Sequence, residues 1–287
     1  MCSFDLRHHR RMVALSGMSA VFDCFVEESR GRQSGAAPNS AGGAATAKVT
    51  AVAGCLVPSE EIAGFDGLWR LLLMKHDLPA SGPDDWCTLI EKHDTESTTA
   101  LRELTGAASN LNGLGFVVAI GRKTWGELPQ PTRRRLGSAQ TLCFLRLMRI
   151  VVDKLEGCGE SARIAVRLRL DMAALNSSMR DVQAMMAADT RTRERIASLS
   201  FVNPRNASHF SAIDLVLQNG LQELTRTTEL APTQQASQSA QAAFPANFAL
   251  ELWNGDFVSR HLESLEWGQS QLPAVRKRGT AAGARTK

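Results

Sequence analysis

The segment that decides the fold is RIAVRLRLD, at residues 163–171. Apolar side chains alternate with charged or small ones along the whole segment, and Asp171 stands at its end. A period of two residues predicts a β-strand that turns one face toward a core and the other toward polar surroundings. The apolar face consists of Ile164, Val166, Leu168 and Leu170.

Further strands and helices are predicted on both sides of this segment. Short apolar runs predict strands, and apolar residues at helical spacing predict helices. The predicted strands are residues 21–26, 49–57, 116–120 and 197–202, and the predicted helices are residues 59–73, 138–155, 177–196 and 211–225. Strands separated by helices are typical of an α/β protein with helices on both faces of one sheet.

The composition along the chain indicates one main domain with flexible ends. Two segments rich in Gly, Ala, Ser, Gln and Pro lack apolar periodicity and are predicted as loop or linker. The predicted organisation is a disordered basic N-terminal extension at 1–17, an α/β domain at 18–230 with a mobile loop at 31–47, a linker at 231–247, a C-terminal helical segment at 248–270 and a disordered basic tail at 271–287.

The overall composition excludes several classes of function. The chain of 287 residues has no tyrosine, which excludes covalent phosphodiester chemistry through a phenolic nucleophile. Its six cysteines form no disulfide framework, so we expect no disulfide partner and a reducing, cytoplasmic location. No apolar run approaches the roughly 20 residues that span a bilayer, so we expect no membrane partner.

The positive charge of the chain lies at its two ends. The net charge is +4, yet residues 13–275 are slightly acidic, because basic residues cluster near both termini. Arg276, Lys277 and Arg278 are candidates for loose contacts with nucleic-acid phosphates. The alternative, which the composition favours, is a solvated and disordered end.

Acidic residues stand at the ends of three predicted elements. Glu27 and Glu28 follow the first strand, Asp171 ends the segment 163–171, and Asp214 stands at the start of a helix. Carboxylates that converge at strand ends could hold magnesium, which prefers oxygen ligands. Glu27 and Glu28 could equally do no more than terminate a strand before a loop.

Asp171 and Asp214 could each have a purely structural role instead. Asp171 shares a strand face with Arg169 and could pair with it. Ser211 and Asp214 have the spacing of a capping box, which by itself would account for both residues. His209 is close enough in sequence to Asp214 to be a candidate proton shuttle at the same site.

The order and spacing of these motifs resemble domain-of-unknown-function family 3800, which has a ribonuclease-H-like fold. The resemblance runs in order over about residues 20–228. It rests on Glu27-Glu28-Ser29-Arg30 in place of the family's Asp-Glu-Ser-Gly, on Val52-Ala53-Gly54, on Trp69, on Leu170-Asp171, and on Ser211-Ala212-Ile213-Asp214-Leu215 in place of Gln-x-Ala-Asp-Leu.

The resemblance implies a ribonuclease-H-like mixed sheet flanked by helices, and a metal-dependent phosphodiesterase or nuclease that acts on nucleic acid. It implies Glu27, Asp171 and Asp214 as ligands of Mg²⁺ or Mn²⁺, and Glu28 as an auxiliary ligand or base. The alternative is a catalytically degraded binding or interaction module of a mobile-element or defence system. That alternative is motivated by four departures from the family pattern, at Glu27, Arg30, Ser211 and Ile213.

Overall fold

The computed structural model of the chain describes residues 21–29, 49–79, 82, 86–92, 94–111, 113–156, 158, 162–169, 183, 189–203, 207–230 and 244–253. The predicted extension at 1–17, the mobile loop at 31–47 and the tail at 271–287 lie outside the described residues. Most of the predicted linker at 231–247 and most of the predicted helix at 177–196 lie outside them as well.

A mixed sheet of six strands forms the centre of the part of the chain that the structure describes. Its strands are β1 (Val21–Glu28), β2 (Val49–Pro58), β3 (Leu114–Gly121), β4 (Arg163–Arg169), β5 (Ile196–Val202) and β6 (Phe248–Trp253). They lie in the order β5-β4-β1-β2-β3-β6. Strands β1, β2 and β3 form an antiparallel meander, while β4 pairs in parallel with β1, β5 with β4, and β6 with β3.

Helices cover both faces of this sheet, which confirms the predicted α/β class. They are α1 (Ile62–Lys75), α2 (Trp86–Glu91), α3 (Thr95–Ser109), α4 (Arg122–Glu127), α5 (Gln130–Leu136), α6 (Ala139–Glu156), α7 (Thr190–Arg195) and α8 (Ser208–Leu230). Helix α6 packs on β2 and β3. On the opposite face, α8 packs on β1 and β2 and is itself contacted by α1, α2 and α3.

Each face of the sheet has its own apolar core. On the α6 face, Ile164, Val166 and Leu168 of β4 are fully buried, as their alternation predicts. Because successive side chains of a strand point to opposite faces, Arg167 and Arg169 project toward the α8 side. Strand β4 therefore has one apolar face and one charged face, and the charged face adjoins the second core.

The prediction of a helical segment at residues 248–270 is wrong for Phe248–Trp253, which form strand β6 beside β3. The physical reason is a short alternation of apolar side chains that join the core on the α8 side. The alternating apolar residues are Phe248, Leu250 and Leu252. Residues 254–270 lie outside the described residues.

The folded domain also includes the end of the predicted linker. Phe244 and Asn247 are buried. The side-chain amide of Asn247 donates to the Ala108 carbonyl at 3.3 Å, and its backbone carbonyl accepts the Gly115 N–H at 2.8 Å. The predicted domain boundary at residue 230 is therefore too early, because residues 244–253 complete an edge of the sheet.

Two predicted helix starts differ from the structure. Ser59 makes no cap for the turn that follows it; its hydroxyl donates to Asp23 Oδ2 at 2.6 Å instead. Helix α8 begins at Ser208, earlier than the predicted residue 211. Both differences concern polar groups on the α8 side of the sheet, because Ser59 bonds to Asp23 and Ser211 lies inside α8 instead of at its start.

The described residues contain no helix that is both long enough and apolar enough to cross a bilayer. Four cysteines, namely Cys24, Cys55, Cys143 and Cys158, are buried free thiols. Burial raises the pKa of the Cys55 thiol to about 12. A thiol held in its neutral form is a poor nucleophile and a poor metal ligand, so Cys55 serves as packing.

We expect Gly115→Ala to destabilise the fold, because a Cβ at this position would lie 2.3 Å from the Phe248 ring. Overpacking of this kind costs about 1–3 kcal/mol. The matched control is Gly106→Ala on α3, where a Cβ meets nothing within 4 Å. The control should gain up to about 1 kcal/mol in helix propensity. Urea unfolding measures both, and equal stability of the two variants would contradict the close approach of β6 to β3.

Candidate functional site

Helix α8 is anchored at its first residue by a carboxylate from another helix. Oδ1 of Asp66 on α1 accepts the backbone N–H of Ser208 at 3.0 Å. The first N–H groups of a helix have no acceptor within that helix, so an external carboxylate stabilises the start. This contact fixes where α8 begins relative to α1 and the sheet.

His209 adds an aromatic contact to the same anchor. Its ring is fully buried and lies parallel to the Phe25 ring of β1, with ring centres 4.4 Å apart, while Phe65 of α1 lies at 4.6 Å. His209 Nδ1 is 3.4 Å from Asp66 Oδ1. Its charged neighbour is therefore Asp66, and not the Asp214 that the proton-shuttle hypothesis required.

The environment of Asp66 favours its ionised form. Partial burial opposes ionisation, but contact with His209 and the hydrogen bond from Ser208 outweigh it and lower the pKa of the Asp66 carboxyl. A carboxyl whose pKa is lower in the folded chain than in the unfolded chain stabilises the fold above its ordinary pKa. That contribution disappears as the pH falls through the folded-state value.

Glu27 and Arg169 meet at the carboxyl ends of two neighbouring strands. Strands β1 and β4 are parallel and in register, with Val26 opposite Leu168, so the next residue of each strand lies at the same edge. Arg169 Nη1 donates to Glu27 Oε1 at 3.0 Å. Glu27 is only 1% exposed, so this ion pair is shielded from solvent.

Helix α8 brings a second carboxylate to the same guanidinium. Asp214 Oδ2 lies 3.6 Å from Arg169 Nη1, and Asp214 Oδ1 accepts from Gln218 Nε2 at 3.3 Å. Asp214 is 3% exposed. We call Glu27, Arg169 and Asp214 the carboxylate–arginine site.

A second ion pair, in which only the acid is buried, lies farther back along the same two strands. Arg167 Nε donates to Asp23 Oδ1 at 2.7 Å, and Arg167 Nη1 donates to the Ser200 hydroxyl at 3.2 Å. Ser59 donates to the other oxygen of Asp23. Two arginines of β4 thus face two acids of β1, with Phe25 between those acids along the strand.

The structure separates some of the predicted site residues. Glu27 and Asp214 come together, as their shared contact with one guanidinium nitrogen demonstrates. Glu28 follows Glu27 directly, so its side chain projects to the opposite face of the sheet. Asp171 lies outside the described residues, as do Arg276, Lys277 and Arg278.

The capping-box interpretation of Asp214 is wrong. Because α8 begins at Ser208, both Ser211 and Asp214 lie inside the helix and cannot cap it. Ser211 Oγ is buried and has no hydrogen-bond partner among the described residues. The burial of Asp214 is therefore accounted for by its ion pair with Arg169 rather than by a helix cap.

The described residues do not offer a divalent cation a ready site between Glu27 and Asp214. The guanidinium of Arg169 contacts both carboxylates and occupies the position of a cation there. Among the residues that the structure describes, no group of three or more His, Cys, Asp or Glu side chains is arranged to hold a metal ion. Arg169 Nη1 therefore lies beside one oxygen of each of the two carboxylates that were predicted as metal ligands.

Sequence reasoning missed Arg169 as a partner of Glu27 and missed Asp66 altogether. A signal for the first was present, because Arg167 and Arg169 share one face of β4, and Asp23 and Glu27 share one face of β1. The parallel register that joins them could not be read from either strand alone. Asp66 gave no signal, since an acid in a helix is ordinarily exposed.

Comparison with known proteins identifies no relative of this chain. No family model, no curated protein and no solved structure matches it. Functional inference for this chain therefore rests on its own residues and on the geometry of the carboxylate–arginine site and its surroundings.

We expect Asp66→Asn to lower the unfolding free energy near neutral pH by about 1 kcal/mol, since it weakens the acceptor at the start of α8. Because the pKa of Asp66 is lowered in the folded chain, the wild type should lose this advantage as the pH falls below about 4. Urea unfolding from neutral to acidic pH tests this. Asp77→Asn, an exposed position just after α1, is the control; equal pH profiles for all three chains would contradict the anchor.

We expect Arg169→Gln to destabilise the chain by about 3 kcal/mol near neutral pH, because it removes the cation that contacts two buried carboxylates. The difference in unfolding free energy between the wild type and this variant should shrink on acidification, since a proton then neutralises one carboxylate. Arg191→Gln is a matched control, because Arg191 also contacts two acids, Asp153 and Glu156, but all three side chains are about half exposed. The control should lose at most about 1 kcal/mol. Equal losses, measured by urea unfolding, would contradict a buried role for Arg169.

Proposed function

We propose that this chain is a non-catalytic binding or interaction module with a ribonuclease-H-like fold, in which Arg169 takes the place of a catalytic metal ion. The observation that carries the proposal is that one nitrogen of Arg169 contacts both Glu27 and Asp214. A guanidinium cannot activate a water as a metal does, so the same two acids hold the fold together without supplying chemistry.

The strand arrangement supports the proposed fold. An antiparallel β1-β2-β3 meander, extended beside β1 by parallel β4 and β5, makes a mixed sheet flanked by helices, which is what the resemblance implies. The resemblance to domain-of-unknown-function family 3800 implies an acid at the end of the first strand and one on a helix that follows a later strand, and Glu27 on β1 and Asp214 inside α8 are compatible with this order. The extra strand β6 lies on the far side of β3, away from these acids.

Burial supports a structural role for the two acids. Ionised carboxylates are retained in a protein interior only when they are paired, and Arg169 provides the charge that they need. Glu27 also carries one more methylene than the Asp of the family pattern, which shifts its carboxylate relative to any metal position. Both features favour an inactive site.

A metal-dependent nuclease is the second candidate function, and the convergence of Glu27 and Asp214 favours it. In that case Glu27, Asp171 and Asp214 would bind Mg²⁺ or Mn²⁺ after Arg169 moves away. Nucleic acid would be the substrate, and the proposed auxiliary residue would be Glu28. The residues proposed for loose phosphate contact are Arg276, Lys277 and Arg278.

A cleavage assay separates the two candidates. The full chain is incubated with labelled single- and double-stranded DNA and RNA in Mg²⁺, Mn²⁺ or EDTA, and the products are resolved on denaturing gels. We expect no metal-dependent cleavage by the wild type. Cleavage that requires metal and is lost in Asp214→Asn would overturn our proposal and establish the second candidate.

A direct binding measurement tests whether Arg169 occupies the cation position. We expect Arg169→Gln to bind Mn²⁺ saturably, because two neighbouring buried carboxylates then lose the counter-charge that they share. Electron paramagnetic resonance of free Mn²⁺ measures this binding independently of any activity. Arg167→Gln is the matched control, since it removes the neighbouring arginine from Asp23. Wild-type binding as tight as that of Arg169→Gln would contradict the proposal.

A further inference from the structure

Helix α1 has an apolar outer face that no described residue covers. Its inner face packs into the core through Phe65, Trp69 and Leu73. On the outer face, Leu68, Leu71 and Met74 are 48%, 65% and 66% exposed. A patch of large apolar side chains on one helix marks an interaction surface more often than scattered single residues do.

Two glycines extend this face toward the N-terminal half of the helix. Gly64 and Gly67 precede Leu68 and Leu71 at helical spacing, so all four lie on one stripe. A Cβ added at either glycine would meet nothing within 4 Å. The outer face of α1 therefore carries small residues in its N-terminal half and large apolar residues in its C-terminal half. These large side chains would fit over the glycines of an oppositely directed helix.

The charged residues at the two ends of this face have opposite signs. Glu60 and Glu61 are exposed at the N-terminal end, and Lys75 is exposed at the C-terminal end. Lys75 also pairs with Glu103 on α3 but keeps more than half of its side chain in solvent. In an antiparallel pair of α1 helices, the acidic end of each copy meets the basic end of the other.

We propose that α1 is a self-association surface through which two copies of this chain pair with their α1 helices antiparallel. Leu68, near the helix centre, lies close to the two-fold axis, and Leu71 and Met74 of each copy pack over Gly67 and Gly64 of the other. Such an interface is isologous, so it closes at a dimer. The proposal does not depend on the carboxylate–arginine site.

The size of the surface predicts a weak, reversible dimer. A stable dimer interface covers about 800 Å² on each partner, and the outer face of a helix about 20 Å long provides less. Association should therefore depend on concentration over the micromolar range.

Sedimentation velocity over about 1–200 µM of the full chain tests the proposal. We expect the weight-average mass of the wild type to rise toward twice the monomer mass, and Leu71→Glu to remain a monomer. The control is Val21→Glu, which changes another exposed apolar residue at the start of β1 and should dimerise as the wild type does. Circular dichroism establishes that both variants are folded. A monomeric wild type, or a dimer that survives Leu71→Glu, would overturn the proposal.

Charge exchange tests the antiparallel orientation. Glu61→Lys alone and Lys75→Glu alone should each weaken the dimer, because each places like charges opposite each other. The double variant Glu61→Lys/Lys75→Glu should recover dimerisation, since the two ends are complementary again. Failure of the double variant to recover, while it remains folded, would exclude the antiparallel arrangement. Co-flotation with phosphatidylcholine–phosphatidylserine vesicles that Leu71→Glu abolishes would assign the face to a membrane surface and overturn self-association.

Discussion

Arg169 contacts two buried carboxylates because β1 and β4 run parallel and end at the same edge of the sheet. The in-register pairing of these strands places Glu27 beside Arg169. Helix α8 then has to place Asp214 beside the same guanidinium, because the buried charge of this carboxylate also has to be compensated. If β4 were shifted by one residue, its arginines would point into the apolar core under α6. Register, ion pairing and the position of α8 are therefore one linked constraint.

The charged face of β4 also determines where α8 lies. A helix needs apolar surface to pack on, and on this side of the sheet such surface is provided by β2 and by Phe25 of β1, while β4 presents Arg167 and Arg169. The anchor at Asp66 holds the start of α8 over Phe25. Asp66 lies at the start of α8, and Asp214 lies beside Arg169 farther along the helix. The α8 side of the sheet therefore combines an apolar core with a row of paired charges.

Local patterns predicted the fold well where a single element decides the structure. The alternation in β4, the apolar run of β3 and the stripe of α6 were sufficient for those elements. The strand β6 was missed because six residues of alternation are a weak signal beside a segment that resembles a helix. The convergence of Glu27 and Asp214 followed from the topology, but their partner Arg169 did not, because ion pairing depends on the register of two strands far apart in sequence.

The same parallel pairing has a consequence for the time course of folding. Glu27 and Arg169 are separated by 142 positions in the chain. At ordinary translation rates, β1 leaves the ribosome on the order of ten seconds before β4 does. During that interval β1 can pair with β2 but lacks its parallel neighbour and the counter-charge for two of its acids. Contacts between residues so distant in sequence form slowly, so the central strand is completed late and its exposed edge is then open to wrong partners.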